Sequence, residues 1–203
     1  MTVPTSRGTA EADLALPAAP RSLLVLGHGA GGGVDAPDLV AVRAAALDAQ
    51  VAVVRVTQPY RVLGRRAPAP AQHLDDAFTE VVGEARTAVP DGLPLVVGGR
   101  SSGARVACRT AGGLGAVGVL ALAFPLHPPG RPEKSRQSEL PVGTPTLVVN
   151  GDRDPFGVPG GSDDVRVVVR PGERHGLTVD PAAVGTLVTA WLAEHGWAAP
   201  AAR

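Results

Sequence analysis

Short apolar runs alternate with amphipathic stretches along most of the chain. Ser22 to Leu26 is a continuous apolar run followed by glycine, the pattern of a strand buried on both faces. Asp35 and Pro37 then signal a helix start, and Leu39, Val42, Ala46 and Leu47 follow at helical spacing. Val51 to Val56 reads as a second strand. Leu74, Phe78, Val81, Val82 and Ala85 form the stripe of a helix over Gln72 to Ala88. Leu95 to Val97 is a strand, and a short helix is expected from Ser102 to Ala111, stopped by Gly112 and Gly113. Val117 to Ala123, Thr146 to Val149 and Val165 to Val169 are further strands. Asp180 and Pro181 open a last helix, lined by Val184, Leu187, Val188, Trp191 and Leu192. Pro59 to Ala71 and Pro125 to Pro141 read as loops, the first of them basic and proline-rich. Residues 1 to 20 are poorly patterned, with a short edge strand near Glu11 to Leu16. Strands alternating with helices predict an α/β protein: a three-layer α/β/α sandwich on a mostly parallel, twisted sheet. In such sheets ligands sit at the carboxyl ends of the strands.

Composition narrows this picture. A length of 203 residues fits one domain over 1–203 with a substantial core, and 44% hydrophobic against 19% charged residues excludes a disordered chain. Aromatic residues make up only 3%, so Val, Leu and Ala must fill the interior. The 19 Lys and Arg are balanced by 19 Asp and Glu, which leaves no net field to favour nucleic acid or an anionic membrane. Cys108 is the single cysteine, so an internal disulfide is impossible. Met1 to Ala12 lacks the apolar core of a signal peptide, and no segment approaches the roughly 20 apolar residues that span a bilayer. The expectation is a cytoplasmic protein, monomeric or homodimeric, without nucleic-acid or membrane partners.

The chemistry begins at Gly99-Arg-Ser-Ser-Gly103, where a strand runs straight into a helix. A hydroxyl is a weak nucleophile and needs an adjacent base. A sharp strand-to-helix turn exposes Ser101 while anchoring its backbone, and the flanking glycines make the turn sterically possible. The Ser102 N–H, at the start of the helix, is a candidate oxyanion donor. The bland alternative is an ordinary glycine-rich turn, and Ser102 is the rival nucleophile. After the strand Thr146 to Val149 comes Asn150-Gly-Asp-Arg-Asp-Pro155, which offers Asp154 first and Asp152 second as an acid that orients a histidine. Asp152 is expected to cap backbone N–H groups of the turn instead. Of His28, His73, His127, His175 and His195, only the last two follow the acid. His195 ends an amphipathic helix and reads as structural. His175, in the loop after the last strand, suits a base that takes and returns a proton.

Leu26-Gly-His-Gly-Ala-Gly-Gly-Gly33 is the other distinctive segment. Gly27, Gly29 and Gly32 formally match a dinucleotide-binding fingerprint, which makes a nucleotide-binding oxidoreductase the rival from another class. Val34 to Ala36 separate this loop from its helix, however, and the next strand ends near Arg55 rather than at an acid that would hold a ribose. In a serine-based site the same loop supplies a second oxyanion donor, the Ala30 N–H, with Gly31 as a second choice. His28 reads as a turn-stabilising residue.

The chain resembles the α/β-hydrolase superfamily over nearly its whole length. More narrowly, it is similar to the small cap-less branch that includes the testis-expressed and non-specific-lethal-complex hydrolase-like proteins. The segments that carry this are Gly27-His-Gly-Ala-Gly-Gly32, Gly98-Gly-Arg-Ser-Ser-Gly-Ala-Arg105, Phe124-Pro-Leu-His-Pro-Pro-Gly-Arg-Pro-Glu-Lys134 and Val149-Asn-Gly-Asp-Arg-Asp-Pro-Phe156. Dienelactone-hydrolase-like enzymes are more distant relatives. The resemblance implies an α/β-hydrolase fold, a triad of Ser101, Asp154 and His175, and a serine hydrolase that uses no cofactor or metal. Here Ser102 stands where the family's turn often carries methionine. Some members of this branch act within complexes, so a hydrolase-fold scaffold with little activity is the alternative reading.

Arg100, beside the nucleophile, and His127, on the loop after the neighbouring strand, are candidate contacts for a polar or anionic substrate. A salt bridge for Arg100 and a loop anchor for His127 are the competing roles. Arg61, Arg65 and Arg66 read as a solvated surface. No insertion is long enough for a lid domain, so Pro125 to Pro141 is the only candidate cover. The expected substrate is a small or accessible carboxylic ester or thioester.

Overall fold

The computed structural model describes residues 1–200, and residues 201–203 of the expected domain lie outside them. The elements in chain order are β1 (Thr2–Thr5), β2 (Gly8–Ala15), β3 (Ser22–Gly27), α1 (Pro37–Asp48), β4 (Val51–Thr57), α2 (Pro59–Val62) and α3 (Ala71–Thr87). They continue with β5 (Leu95–Arg100), α4 (Ser102–Leu114), β6 (Gly118–Leu122), β7 (Thr146–Gly151), β8 (Val165–Arg170) and α5 (Pro181–Glu194). The strands form one eight-stranded sheet in the order β1-β2-β4-β3-β5-β6-β7-β8. From β4 to β8 every pairing is parallel, while β1 and β2 are antiparallel additions. Parallel strands need crossovers, of which α1, α3 and α4 form three, and α5 after the last strand completes the cover of both faces of the sheet. This is the three-layer arrangement expected from the pattern and the α/β-hydrolase fold that the resemblance implies.

Covering both faces explains why β3, β5, β6 and β7 are mostly apolar and almost entirely buried. One core joins the sheet to α3 and α4 around Phe78, Val81, Val97 and Ala107. The other joins it to α1 and α5 around Leu39, Val42, Leu120, Val188 and Trp191. Gly185 lets α5 close on α1, because a Cβ there would stand 2.9 Å from the Ala41 carbonyl oxygen.

Three elements differ from the sequence expectation. Where one short edge strand was expected near Glu11, a hairpin of β1 and β2 closes the sheet, turned at Gly8 with φ +109°. Val3, Ala10 and Ala12 alternate inward, too sparse a signal to read in a Thr-, Ala- and Pro-rich stretch. Helix α2 occupies the start of the expected basic loop, with Pro59 at its first position and Gly64 past its end at φ +74°. Helix α4 runs through Gly112 and Gly113 and stops at Gly115, whose φ of 62° is the left-handed cap.

The Pro125 to Pro141 loop carries one turn of 3₁₀ helix at Gln137–Glu139 and is tied down. Glu139 accepts from Arg105 and Arg109 of α4, and Arg136 Nη1 donates to the Pro125 carbonyl. There is no lid domain among the described residues, and no helix of them is long and apolar enough to cross a membrane.

Candidate active site

The sheet register brings the two glycine segments side by side. Gly27 of β3 pairs with Gly99 of β5, and Arg100 of β5 pairs with Leu122 of β6. Ser101 follows directly, with φ 52° and ψ −111°. A non-glycine residue in that region costs on the order of 1–3 kcal/mol and persists only when its surroundings hold it. Here the Ser101 N–H donates to the Leu122 carbonyl at 2.9 Å, and the Ser101 carbonyl accepts from Arg105 N–H. The glycines make the turn possible: a Cβ on Gly99 or Gly103 would collide with the Gly27 carbonyl, and one on Gly98 would stand 2.7 Å from the Leu120 carbonyl oxygen.

Ser101, Asp154 and His175 come together from three strand ends. The Ser101 hydroxyl donates to His175 Nε2 at 2.8 Å, and His175 Nδ1–H donates to Asp154 Oδ2 at 2.8 Å. The Asp154 side chain is fully buried, whereas the His175 side chain is 22% exposed and so keeps contact with solvent. Asp154 Oδ1 accepts from the Phe156 N–H at 2.9 Å. The expected division between the two aspartates is therefore half reversed: Asp154 both holds the histidine and caps the turn, while Asp152 is exposed and its carboxylate makes no hydrogen bond among the described residues.

Ala30 and Ser102, the expected oxyanion donors, lie on the two glycine segments that meet at Ser101. Gly29 lies against Ser101, since a Cβ built on it would be 3.6 Å from Ser101 Cβ. The Ser102 N–H opens α4 and has no intrahelical acceptor. Neither it nor the Ala30 N–H donates to another group among the described residues. The loop is pinned from behind. Tyr60 O–H donates to the Ala30 carbonyl at 2.6 Å, and His28 Nδ1–H donates to the Gly29 carbonyl at 2.8 Å. His28 Nε2 accepts from the Gln58 N–H. His28 thus stabilises the turn, as expected. Tyr60, hidden in the basic stretch read as a loop, was not foreseen.

His28 can hold both bonds only as a neutral ring, and burial lowers its pKa below the ordinary 6.5. The unfolded chain then binds the extra proton as the pH falls below about 6.5, so His28 lowers stability toward acid and contributes no such penalty above that pH. In urea unfolding, the stability advantage of wild type over His28→Asn is expected to be larger at about pH 7.5 than at about pH 5.5. An advantage unchanged between the two would refute the neutral-ring assignment.

Arg100 and His127 each admit two roles from the sequence. Arg100 Nε donates to Asp38 Oδ2 at 2.9 Å and Nη2 to the His175 carbonyl at 2.7 Å, so the geometry supplies the salt bridge and turns the guanidinium inward. His127 Nδ1–H donates to the Pro128 carbonyl, and its ring lies against Gly157, which gives the loop anchor. Three further residues escaped the sequence reading. The Phe156 ring lies 4.2 Å from that of His175. Buried Asn150 bonds Phe124 N–H, Phe124 carbonyl and Gly157 carbonyl, tying the loops after β6 and β7. Buried Glu173 accepts from Val179 and Asp180 N–H and fixes both ends of the loop that carries His175. His195 bonds the Trp191 carbonyl and stacks on Trp197, away from this site. Burial pushes the Cys108 thiol up to about 12, which removes it as a rival nucleophile.

Cavities of about 380, 370 and 350 Å³ open elsewhere on the molecule, and none is lined by Ser101, Asp154 or His175. Ser101 itself is half-buried.

Residues 20–167 match a family model described as an alpha/beta hydrolase domain. No curated protein matches the chain. Among solved structures, the chain is similar to an alpha-beta serine hydrolase homologue from Coxiella burnetii, with TM-score 0.79 and 16% identity over 94% of this chain and 95% of that one. A serine hydrolase without a lid from Xanthomonas campestris has TM-score 0.76 and 19% identity, over 100% of this chain and 95% of that one. A dienelactone hydrolase from Anabaena variabilis has TM-score 0.73 and 19% identity, over 96% and 95%. At such identities the likeness is one of fold.

Proposed function

The chain belongs to the alpha/beta hydrolase domain family, and on that premise we propose that it is a serine hydrolase that cleaves small carboxylic esters or thioesters through an acyl-enzyme. The observation that carries this reading is the unbroken chain of two 2.8 Å hydrogen bonds from Ser101 through His175 to Asp154. In the first half-reaction Ser101 Oγ attacks the carbonyl carbon as His175 Nε2 takes its proton. Asp154 holds the ring in the tautomer this needs and stabilises the imidazolium. The Ala30 and Ser102 N–H groups receive the negative charge that develops on the carbonyl oxygen. His175 then returns the proton to the departing alcohol or thiol, leaving Ser101 acylated. Water repeats the sequence and releases the acid.

The lack of a lid domain among the described residues and the pinned Pro125 to Pro141 loop suit small or accessible substrates. The same reading includes action on a free small molecule in the cytoplasm, by a monomer or homodimer that needs no cofactor. The resemblance to the small cap-less, testis-expressed type of hydrolase-like domain belongs to this proposal too.

A fluorophosphonate probe tests it. The expected result is a stoichiometric adduct that peptide mass spectrometry maps to Ser101, together with turnover of short-chain aryl esters. An unlabelled Ser101 in folded protein without esterase activity would overturn the proposal in favour of a hydrolase-fold scaffold.

A further inference from the structure

The chain is neutral overall, yet its unpaired charges are sorted across the sheet. The parallel strands all end on one edge, so the loops after β4, β6, β7 and β8 surround Ser101 at the end of central β5. From these loops rise Arg65, Arg66, Arg131, Lys134, Arg153 and Arg174, all exposed. Among the described residues, none of the six has a carboxylate within ion-pair distance. On the same edge the unpaired acids are Glu133 and Asp152, with Glu11 on outlying β2 level with the end of β4. Asp35 and Asp180 face Arg55 and Arg170, Asp154 holds His175, and Glu173 is buried. The opposite edge has the reverse balance, with Asp48, Asp91, Asp163 and Asp164 against Arg21 and Arg86. A solvated surface with no function at this edge gives no reason for such sorting. A neutral protein that keeps most of its free cations around one reaction centre focuses a positive field there, and such a field raises the local concentration of anions.

We propose that the substrate is an anionic ester, one that carries a free acidic group remote from the scissile bond and is drawn to Ser101 by this cationic rim. The proposal rests on the ester-hydrolase reading. The loop after β6 is the part of the rim nearest the nucleophile in the sheet order, because β6 is the direct neighbour of β5. Arg131 and Lys134 on that loop are accordingly the cations with the greatest leverage. The hydrolysis itself is unchanged: the acyl carbon–oxygen bond breaks, water supplies the new oxygen, and the acidic group takes no part.

The test compares 4-acetoxybenzoate with its methyl ester. The two share an acetyl group and a ring and differ by one negative charge too distant to assist the reaction internally. Each kcat/KM is divided by that ester's own hydroxide-catalysed rate. At about 20 mM salt the anionic ester is expected to lead by about tenfold or more, and the lead should shrink toward parity at about 500 mM, where screening acts within a few ångströms. Arg131→Glu with Lys134→Glu is expected to cut the preference at least about fivefold. Arg21→Glu with Arg86→Glu, an equal change of net charge on the far edge, should leave it within about twofold. Equal, salt-insensitive rates for the two esters, with turnover still dependent on Ser101, would overturn the anionic-substrate proposal and leave the hydrolase reading standing. Equal losses of preference in both charge-reversed pairs would show net charge at work and would also overturn it. Turnover of neither ester, with Ser101 unlabelled, would remove the hydrolase reading and this proposal together.

Discussion

Ser101→Ala is expected to lower kcat for an activated aryl ester by about four orders of magnitude or more, with KM changed little. The variant loses the attacking oxygen but keeps the Ala30 and Ser102 amides, so a residual rate above that in water should persist. The turn should survive, because the Leu122 and Arg105 contacts that hold residue 101 use its backbone alone. Asp154→Asn is the informative companion. It preserves the size of the buried side chain but favours the wrong histidine tautomer, and it should cost about 10⁴ in kcat. Asp152→Asn, two positions away in the same turn and exposed, should stay within about threefold of wild type. Stopped-flow rates with thermal melts on all three variants decide the matter. Undiminished turnover in Ser101→Ala would remove Ser101 from the chemistry, and equal losses in the two aspartate variants would remove the assignment of the acid.

The parts of this site legible in the sequence were those whose signal is local. Gly99-Arg-Ser-Ser-Gly103 follows an unbroken apolar strand, and the order of serine, acid and histidine places each group after a strand end. Local pattern also fixed the sheet from β3 to β8, since strands covered on both faces must read as apolar runs. What was not legible depends on contacts far apart in the chain. Nothing near Tyr60 announces that its hydroxyl holds Ala30, because α2 is a four-residue helix between prolines and arginines. Glu173 looks like one more loop acid two residues before His175, yet its burial makes it the anchor of that loop. Asp154 and Asp152 have the same composition around them, and only the depth of each side chain separates their roles. Gly112 and Gly113 failed as a helix stop for a related reason: both are exposed, with open space around them, so nothing obliges the chain to turn before Gly115.

Arg100 shows how much a role can depend on a distant partner, and its replacement should have the largest effect on stability. Asp38, sixty-two positions earlier, is fully buried at the start of α1, and its other oxygen accepts from the Leu39 N–H. Burial pushes the Asp38 carboxyl above its ordinary range even though Arg100 opposes the shift. Arg100→Met leaves that carboxylate without its cation. Breaking such a pair costs about 3–5 kcal/mol, which corresponds to a fall in Tm of roughly 6–20 °C for a chain of this size. The deficit should follow pH with a defined sign. A raised folded-state pKa favours the native state at low pH and loses that advantage as the pH rises through it. Losing Arg100 raises Asp38 further, so the gap between variant and wild type should be widest near neutrality and narrow toward acid. Adding Asp38→Leu to Arg100→Met removes the buried charge and should restore most of the lost stability. It should not restore the rate, because the His175 carbonyl still lacks its Arg100 donor. Arg100→Lys separates the same two functions another way: a single ammonium can face Asp38 but does not present the fork that also reaches His175. Recovery of both Tm and kcat in the Asp38→Leu/Arg100→Met pair would show that Arg100 serves only the core. Recovery of Tm alone identifies it as the residue that couples α1 to the placement of the catalytic base.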